Sequence, residues 1–256
     1  MAEKKTIIGV IPARYSSSRL PGKPLVNIGG KPMIQWVAER AARAVMVSRV
    51  IVATDDERIF ETVKKFGCEA VMTPSTLSSG TDRVAFVAKD IDAEIVVNIQ
   101  GDEPFIEPEE IDLVARILVD DRKAVVGTLV RKITRIEELE SPNTAKVVVD
   151  EKNNAIYFSR SPIPFFRDKD NFEDWIKKHK YYKHVGIYSF RKDFLLQYAQ
   201  WGTTALEKVE KLEQLRVLEK GYRIKVAETE FEPVCVDTPE DLEKVQRFVN
   251  IRQNNI

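Results

Sequence analysis

The chain has 256 residues, of which 43% are hydrophobic and 31% are charged, a composition typical of a soluble protein with one large domain or one and a half. Forty basic and forty acidic residues cancel, so no overall charge attracts nucleic acid or an anionic membrane, and any anion site must be local. Two distant cysteines, Cys68 and Cys235, argue against a disulfide scaffold or structural zinc and favour a reducing compartment. The sequence has neither a membrane-spanning apolar run nor a signal-peptide pattern, so we expect a cytoplasmic protein without membrane insertion or a nucleic-acid partner.

An apolar strand at residues 7–11 leads into a basic loop. The run is typical of a parallel strand buried on both faces, and it ends at Pro12. Arg14, Arg19 and Lys23 then place three cations within ten residues, beside serines and a glycine. Because backbone N–H groups and cationic side chains bind phosphate oxygens, this loop is a candidate phosphate site. A solvated basic turn is the alternative.

Strand and helix patterns alternate through the first half of the chain. Apolar strands are predicted at residues 50–53, 70–72 and 94–99, each followed by residues with the apolar spacing of a helix. The helix after the basic loop is predicted to begin at Pro32 and to include Val45 in its apolar face. This alternation predicts an α/β fold with a doubly wound, mostly parallel, mixed sheet.

A polar loop rich in serine follows the third strand. Ser79 and Gly80 belong to this loop, and Thr81 or Asp82 is predicted to cap the next helix. Loops at the carboxyl ends of parallel strands bind ligands, but many are plain connections. Both interpretations of this loop stay open.

Two aspartates follow apolar stretches. Asp102 lies behind Gly101, which permits close backbone approach, and this position suits a carboxylate ligand of a phosphate-bound Mg²⁺. The alternative, a helix cap, is weakened because Pro108 and the glutamates after it begin the next helix unaided. Asp237 has the same two interpretations, and Thr238 already supplies the cap of the last helix. If the two chain segments meet, the carboxylates and the cations of the basic loop would form a metal and triphosphate site.

From about residue 131, consecutive strand patterns replace the alternation. A hairpin is predicted around residues 151–154, strands at 185–190 and 223–227, and helices at 194–198 and 210–219. Aromatic residues are dense between residues 165 and 182, which indicates either core or interface. We therefore predict one domain over residues 1–256, with an inserted β-rich subdomain at about 131–190 that contributes to a homodimer.

Sequence motifs narrow the class of enzyme. The chain has no GK[ST] phosphate loop, no G-x-S-x-G elbow and no G-x-G-x-x-G fingerprint, which argues against NTPases, hydrolases and dinucleotide-dependent oxidoreductases. The chain resembles the 3-deoxy-manno-octulosonate cytidylyltransferases in the segments IPARYSSSRLPGKPL, VATDD, SSGTDR, VVNIQGDEP, YFSRSPIP, HVGIYSFR, LEKVEKLEQLR and VDTPEDLE. Sialate-activating enzymes resemble only the first of these segments.

The resemblance implies a fold of nucleotidyltransferase type and a reaction in lipopolysaccharide synthesis. CTP and 3-deoxy-D-manno-octulosonate (Kdo) would give CMP-Kdo and pyrophosphate, with Mg²⁺ as cofactor. The implied catalytic residues are Arg14, Lys23, Asp102 and Asp237, and the two aspartates would hold the metal. The implied nucleotide-binding residues are Ala13, Arg14, Lys23, Ser79, Gly80, Asp82, Arg83 and Gln100. The implied sugar-binding residues are Arg160, His184, Tyr188, Glu213 and Gln214.

The sugar has its own carboxylate, which needs a cation on the sugar side of the site. Arg160 and His184 are the candidates, although a histidine satisfied within its strand is the alternative for His184. Other functions also remain open. The chain could activate another acidic sugar such as sialate, or it could bind a nucleotide without catalysis.

Overall fold

The computed structural model describes residues 6–16, 19–168 and 171–253, so Ser17 and Ser18 of the basic loop lie outside the described residues. The chain divides into two compact units. The first unit consists of Met1–Asp112 with Pro233–Ile256, and the middle unit is Leu113–Glu232. The predicted single domain with an insertion at about 131–190 stays a prediction.

A parallel sheet forms the centre of the first unit. Its elements are β1 (Ile7–Ala13), a short 3-10 helix (Lys23–Leu25), β2 (Asn27–Ile28), β3 (Lys31–Pro32), α1 (Met33–Ala41), β4 (Arg49–Thr54), α2 (Glu57–Lys65), β5 (Glu69–Met72), α3 (Gly80–Lys89) and β6 (Ile95–Asn98). Helix α4 (Pro108–Asp120) begins in this unit and continues into the middle unit. The strand order is β6-β1-β4-β5, and all three pairs are parallel. Strands β2 and β3 form a separate antiparallel pair.

The register of the first unit places several loops at one edge of its sheet. Ala13 pairs with Thr54, and Thr54 pairs with Met72, so β1, β4 and β5 end at the same level. Val10 and Ile11 are fully buried, as expected of a strand covered on both faces. The basic loop and the serine-rich loop therefore leave the sheet on the same side, at the carboxyl ends of the strands.

The middle unit combines parallel and antiparallel pairing. Its elements are β7 (Val126–Lys132), α5 (Ile136–Glu140), β8 (Lys146–Val149), β9 (Ala155–Ser159), α6 (Phe172–Lys178), β10 (Tyr182–Arg191), α7 (Lys192–Tyr198), α8 (Ala205–Glu210), α9 (Leu215–Glu219) and β11 (Ile224–Glu228). Strand β11 is parallel to β7, whereas β7–β10, β10–β8 and β8–β9 are antiparallel. Helix α10 (Pro239–Gln253) belongs to the first unit. The predicted α/β fold with a doubly wound, mostly parallel, mixed sheet is confirmed.

Three local predictions are wrong. Helix α1 begins at Met33, with Pro32 as its N-cap, and ends at Ala41, so Val45 lies outside it and is 91% exposed. The cap of α3 is Ser79, whose hydroxyl accepts from the backbone N–H of Asp82 in a reciprocal capping box. The predicted helix at 210–219 is two short helices, because Lys211 adopts a left-handed conformation with φ of 54° that ends α8.

Most of the predicted aromatic cluster is core. Trp175 and Tyr181 are buried with Ile133 and Leu139 in the middle unit. Phe165 is different, because it is 74% exposed although its ring meets Trp175 edge to face. Within the described ranges, no helix is long and apolar enough to cross a membrane.

Candidate active site

Lys23 joins the two aspartates that the sequence singled out. Its ammonium Nζ donates to Asp102 Oδ2 at 2.7 Å and to Asp237 Oδ1 at 2.6 Å. Arg19 adds a second cation, with Nη2 at 3.2 Å from Asp237 Oδ2. Burial opposes the charged ammonium, but the two carboxylates outweigh it and raise the pKa of Lys23. Two carboxylates that are far apart in the sequence therefore bind the same ammonium group.

Close backbone packing brings these segments together. A Cβ on Gly101 would lie 2.8 Å from the carbonyl oxygen of Pro12, so only glycine lets the Asp102 loop approach the end of β1 this closely. The backbone N–H of Val236 donates to the carbonyl of Asp102 at 2.9 Å. The fully buried Val236 side chain packs with Met33 and other core residues. Asp237 is thus held beside Asp102 by the core behind it.

A buried carboxyl group lies directly behind this pair. Glu103 is 4% exposed, and its Oε1 accepts from the thiol of Cys235 at 3.6 Å. Burial first, and then the charges of Asp102 and Glu110, raises the pKa of Glu103 to about 8. A protonated Glu103 adds no negative charge behind Asp102.

The serine-rich loop forms the first turn of α3. Besides the cap made by Ser79, the Asp82 carboxylate accepts from the Ser79 backbone N–H at 3.1 Å and from the Ser78 hydroxyl at 2.7 Å. A Cβ on Gly80 would meet the Pro12 ring at 3.4 Å, which shows how closely this turn lies against the end of β1. Asp82 therefore stabilises the turn in this structure.

Arg83 points into the core of the first unit. Its side chain is fully buried, with Nη2 at 2.8 Å from Asp55 Oδ2 and Nη1 hydrogen-bonded to the Thr73 hydroxyl. Asp55 directly follows β4, and Thr73 directly follows β5. Arg83 thus ties the first turn of α3 to two strand ends, which is a positioning role in addition to the nucleotide contact that the resemblance implies.

The remaining residues of the implied nucleotide set lie at the same edge of this sheet. Arg14 Nη2 donates to the carbonyl of Leu77 at 2.8 Å, which links the basic loop to the serine-rich loop. Ala13 is the buried last residue of β1, and Gln100 follows β6 with partial exposure. These residues therefore lie in or next to the loops at the carboxyl ends of the strands, where a triphosphate could bind.

The implied sugar-binding residues all lie in the middle unit. Arg160 follows β9, and its guanidinium donates to three backbone carbonyls, those of Glu210 at 2.6 Å, Pro142 at 2.8 Å and Lys211 at 3.3 Å. Its backbone N–H also donates to the Glu210 carboxylate at 2.9 Å. A guanidinium has five N–H donors, so donors remain for a ligand carboxylate. Arg160 also holds the segment that leads to Glu213 and Gln214.

Three of these residues contact one another. The rings of His184 and Tyr188 are 5.3 Å apart, and the Tyr188 hydroxyl donates to Gln214 Oε1 at 3.1 Å. Burial, with the charges of Glu213 and Tyr198, raises the pKa of Tyr188 well above its usual value, so this hydroxyl keeps its proton. Within the described part of the chain, the buried Nε2 of Gln214 has no hydrogen-bond partner. It is a free donor that a sugar hydroxyl could satisfy.

Comparison with known proteins decides the family. The family model for cytidylyltransferases matches residues 8–226. The 3-deoxy-manno-octulosonate cytidylyltransferase of Geotalea uraniireducens is 55% identical over 243 residues, which cover 93% of this chain and 97% of that protein. The chain belongs to the 3-deoxy-manno-octulosonate cytidylyltransferase family. Like other members of this family, it is a nucleotidyltransferase.

Solved structures agree with this family assignment. The structure of CMP:2-keto-3-deoxy-manno-octonic acid synthetase complexed with CTP has a TM-score of 0.90 and 44% identity, covering 96% of this chain and 99% of that one. A cytidylyltransferase from Leptospira borgpetersenii, at 17% identity and a TM-score of 0.64 over 96% of this chain and 87% of that chain, shares the fold. The predicted fold of nucleotidyltransferase type is confirmed.

The carboxylates of this cytidylyltransferase fit a magnesium ion. Among the described residues, no group of three or more His, Cys, Asp and Glu side chains forms a metal site by itself. Mg²⁺ in nucleotide enzymes is commonly held by only one or two carboxylates together with substrate phosphates. Asp102 and Asp237 offer this number of carboxylates side by side, and both contact one cation, the Lys23 ammonium.

Several residues around the site had no sequence signal of their own. Asp55 and Thr73 are important because the buried side chain of Arg83 hydrogen-bonds to both of them. Glu103 is an ordinary acidic residue in the sequence until its burial is known. Two resemblance motifs could have drawn attention to them, namely VATDD, which contains Asp55, and VVNIQGDEP, which contains Glu103.

Proposed function

We propose that the protein transfers the cytidylyl group of CTP to Kdo and releases pyrophosphate, and that the product serves lipopolysaccharide synthesis. The main observation behind the proposal is that, in a chain of this family, Lys23 Nζ lies 2.7 Å from Asp102 Oδ2 and 2.6 Å from Asp237 Oδ1. Cations and metal-binding carboxylates beside Gly- and Ser-containing loops suit the triphosphate of a nucleotide. Residues of the middle unit suit a polyhydroxylated acid.

The reaction is an in-line displacement. A hydroxyl oxygen of Kdo forms a bond to the α-phosphorus, the bond from that phosphorus to the bridging oxygen breaks, and the hydroxyl proton passes to solvent. Lys23 and Arg14 would contact phosphate oxygens, so that the charge gained by the leaving pyrophosphate is neutralised. Mg²⁺ held by Asp102 and Asp237 would supply further positive charge to the same oxygens.

Gln214 and Arg160 support the choice of an acidic sugar. Nε2 of Gln214, which has no partner among the described residues, would donate to a hydroxyl, and Arg160 is the cation for the carboxylate. A sugar that lacks these groups would leave buried polar atoms unpaired, which disfavours its binding. The test is pyrophosphate release from each of four nucleoside triphosphates with a panel of acidic sugars that includes sialate. CTP with Kdo should give the highest kcat/KM, and a preference for another pair would refute the proposal.

We also propose a homodimer in the cytoplasm. Phe165 and Ile156 are 74% and 58% exposed, and Ile156 lies on β9, which pairs only with β8 among the named strands of the described chain. Exposed apolar residues on such an edge are a common feature of interfaces. Light scattering should give a mass about twice 29.3 kDa. A monodisperse monomer at working concentration would refute the dimer and leave the activity untouched.

A further inference from the structure

A buried threonine hydroxyl contacts three polar atoms of the strand that contains His184. Thr128 lies on β7 and is fully buried. Its Oγ1 is 2.7 Å from the carbonyl of Ile187, 3.2 Å from the carbonyl of Val185 and 2.9 Å from Nε2 of His184. The pairing between β7 and β10 is irregular between Val185 and Tyr188, and this irregularity brings the two carbonyls to one hydroxyl.

The proton count at this hydroxyl fixes the proton on the imidazole. A hydroxyl has one proton to donate, and carbonyl oxygens can only accept. The Ile187 carbonyl oxygen is 2.7 Å from Oγ1, a distance that requires a proton between the two oxygens, so the hydroxyl donates to this carbonyl. If His184 Nε2 were unprotonated, its lone pair would face the lone pairs of Oγ1 at 2.9 Å. Nε2 must therefore carry a hydrogen and donate it to Thr128.

The same ring is neutral, which leaves its other nitrogen as an acceptor. Phe158 and Tyr188 lie against the imidazole, with ring centroids 5.2 and 5.3 Å away. Desolvation among these neighbours lowers the pKa of His184 to about 3. With the proton at Nε2, Nδ1 has a free lone pair, and no hydrogen bond from the described residues occupies it.

We propose that Thr128 is a positioning residue that fixes His184 as the Nε2–H tautomer, so that Nδ1 accepts a hydrogen bond from a hydroxyl of the acid sugar. The inference rests on the proposed function for the identity of the ligand. It changes the role of His184 from a cation for the sugar carboxylate to an acceptor for a hydroxyl. Arg160 is then the cation for the carboxylate, and His184 contributes to the discrimination among sugars that differ in their hydroxyl groups.

The tautomer can be measured directly in the unliganded protein. The chain has only two histidines, His179 and His184, so a long-range ¹H–¹⁵N correlation spectrum of the imidazoles has two sets of signals, and a His179→Gln variant assigns them. We expect His184 at pH 7 to show a protonated, pyrrole-like Nε2 and an unprotonated, pyridine-like Nδ1. An unprotonated Nε2, or signals of an imidazolium, would overturn the inference. This result does not depend on activity, so it is separate from any failure of the proposed function.

Kinetics of two Thr128 variants test the positioning role. Thr128→Val removes the hydroxyl at nearly constant volume, whereas Thr128→Ser keeps it. We expect Thr128→Val to raise the KM for Kdo about tenfold, the loss of roughly one hydrogen bond, and to leave the KM for CTP unchanged. Thr128→Ser should restore the KM for Kdo, because the acceptor for Nε2–H is back. Equal increases of both KM values, or an unchanged KM for Kdo in a folded Thr128→Val variant, would contradict the role.

Discussion

At the scale of single residues, Lys23 gives the clearest link between structure and chemistry. A lysine that bridges two carboxylates at 2.7 and 2.6 Å holds the two carboxylates close together before any ligand binds. Such preorganisation means that the protein need not reorganise these charges during the reaction. Asp102 and Asp237 are therefore expected to matter for turnover more than for folding.

Replacing either aspartate should test this expectation. Asp102→Asn and Asp237→Asn should each lower kcat by about two orders of magnitude, because each removes charge from the site and leaves the packing intact. The measurement is turnover across a magnesium titration, with thermal unfolding to confirm the fold. Glu243→Gln on α10 is the matched control, since this carboxylate is 67% exposed and pairs only weakly with Arg247. Wild-type magnesium dependence in either aspartate variant would rule out its role as a metal ligand.

Arg160 should separate recognition of the sugar from recognition of the nucleotide. Arg160→Ala is expected to raise the KM for Kdo about tenfold or more and to change the KM for CTP little, because a charge-assisted pair is lost. Comparing Kdo with its carboxyl-reduced analogue isolates the carboxylate. Wild type should prefer Kdo strongly, and Arg160→Ala should lose much of that preference. If the preference survives, another group binds the carboxylate.

His184 should make the stability of the protein depend on pH. Its pKa is about 3 in the folded chain, below the usual 6.5, so the unfolded state binds more protons between these two values. The free energy of unfolding should therefore fall as the pH falls from 6.5 toward 3, by up to about 1.4 kcal/mol per pH unit from this residue. Denaturant titrations at several pH values from 7 to 4 give the free energy of unfolding at each pH. The slope of this free energy against pH should be shallower in His184→Gln than in the wild type, and His179→Gln is the matched variant. An unchanged slope in His184→Gln would contradict the buried neutral imidazole.

At the scale of secondary-structure elements, Arg83 connects the first turn of α3 to the ends of β4 and β5. Its side chain is fully buried, whereas the neighbouring pair of Arg58 and Asp56 has an arginine that is 59% exposed. Removing one partner of a buried pair leaves an unpaired charge in the core, but an exposed pair contributes little. The two pairs use adjacent carboxylates, Asp55 and Asp56, so they form a natural comparison.

We expect Asp55→Asn to lower the free energy of unfolding by about 3 kcal/mol, and Arg58→Met to change it by less than about 1 kcal/mol. Urea denaturation of both variants gives the values. Because the serine-rich loop follows β5, Asp55→Asn should also weaken CTP binding in the fraction that remains folded. Equal stabilities of the two variants would show that Arg83 is not the structural connection we infer.

The elements also show what the sequence can predict. Continuous apolar runs predicted β1, β4 and β6, because a strand covered on both faces has no polar side to confuse the pattern. The division between α8 and α9 was missed, because it depends on the backbone conformation of Lys211, a residue without a strong turn preference. The inward direction of Arg83 was missed for a similar reason, since an arginine in a helix is exposed in most proteins and its buried partners come from other segments.

At the scale of the whole molecule, the sequence alone could nominate the carboxylates but could not bring them together. Asp237 lies 214 residues after Lys23, and only the folded first unit places them 2.6 Å apart. Family resemblance supplied the pairing that spacing could not. Neither residue spacing nor family resemblance pointed to Thr128, because its role arises from an irregular strand pairing that no local pattern predicts.

The central claim is that the protein joins the α-phosphate of CTP to Kdo. The most direct measurement follows CTP labelled at the α-phosphate in the presence of Kdo and Mg²⁺, with products separated and identified by mass. We expect the label in CMP-Kdo, an equal amount of pyrophosphate, and loss of both in Asp102→Asn. Label that appears only in free CMP, or no labelled sugar nucleotide with Kdo while another acidic sugar accepts the label, would contradict the account.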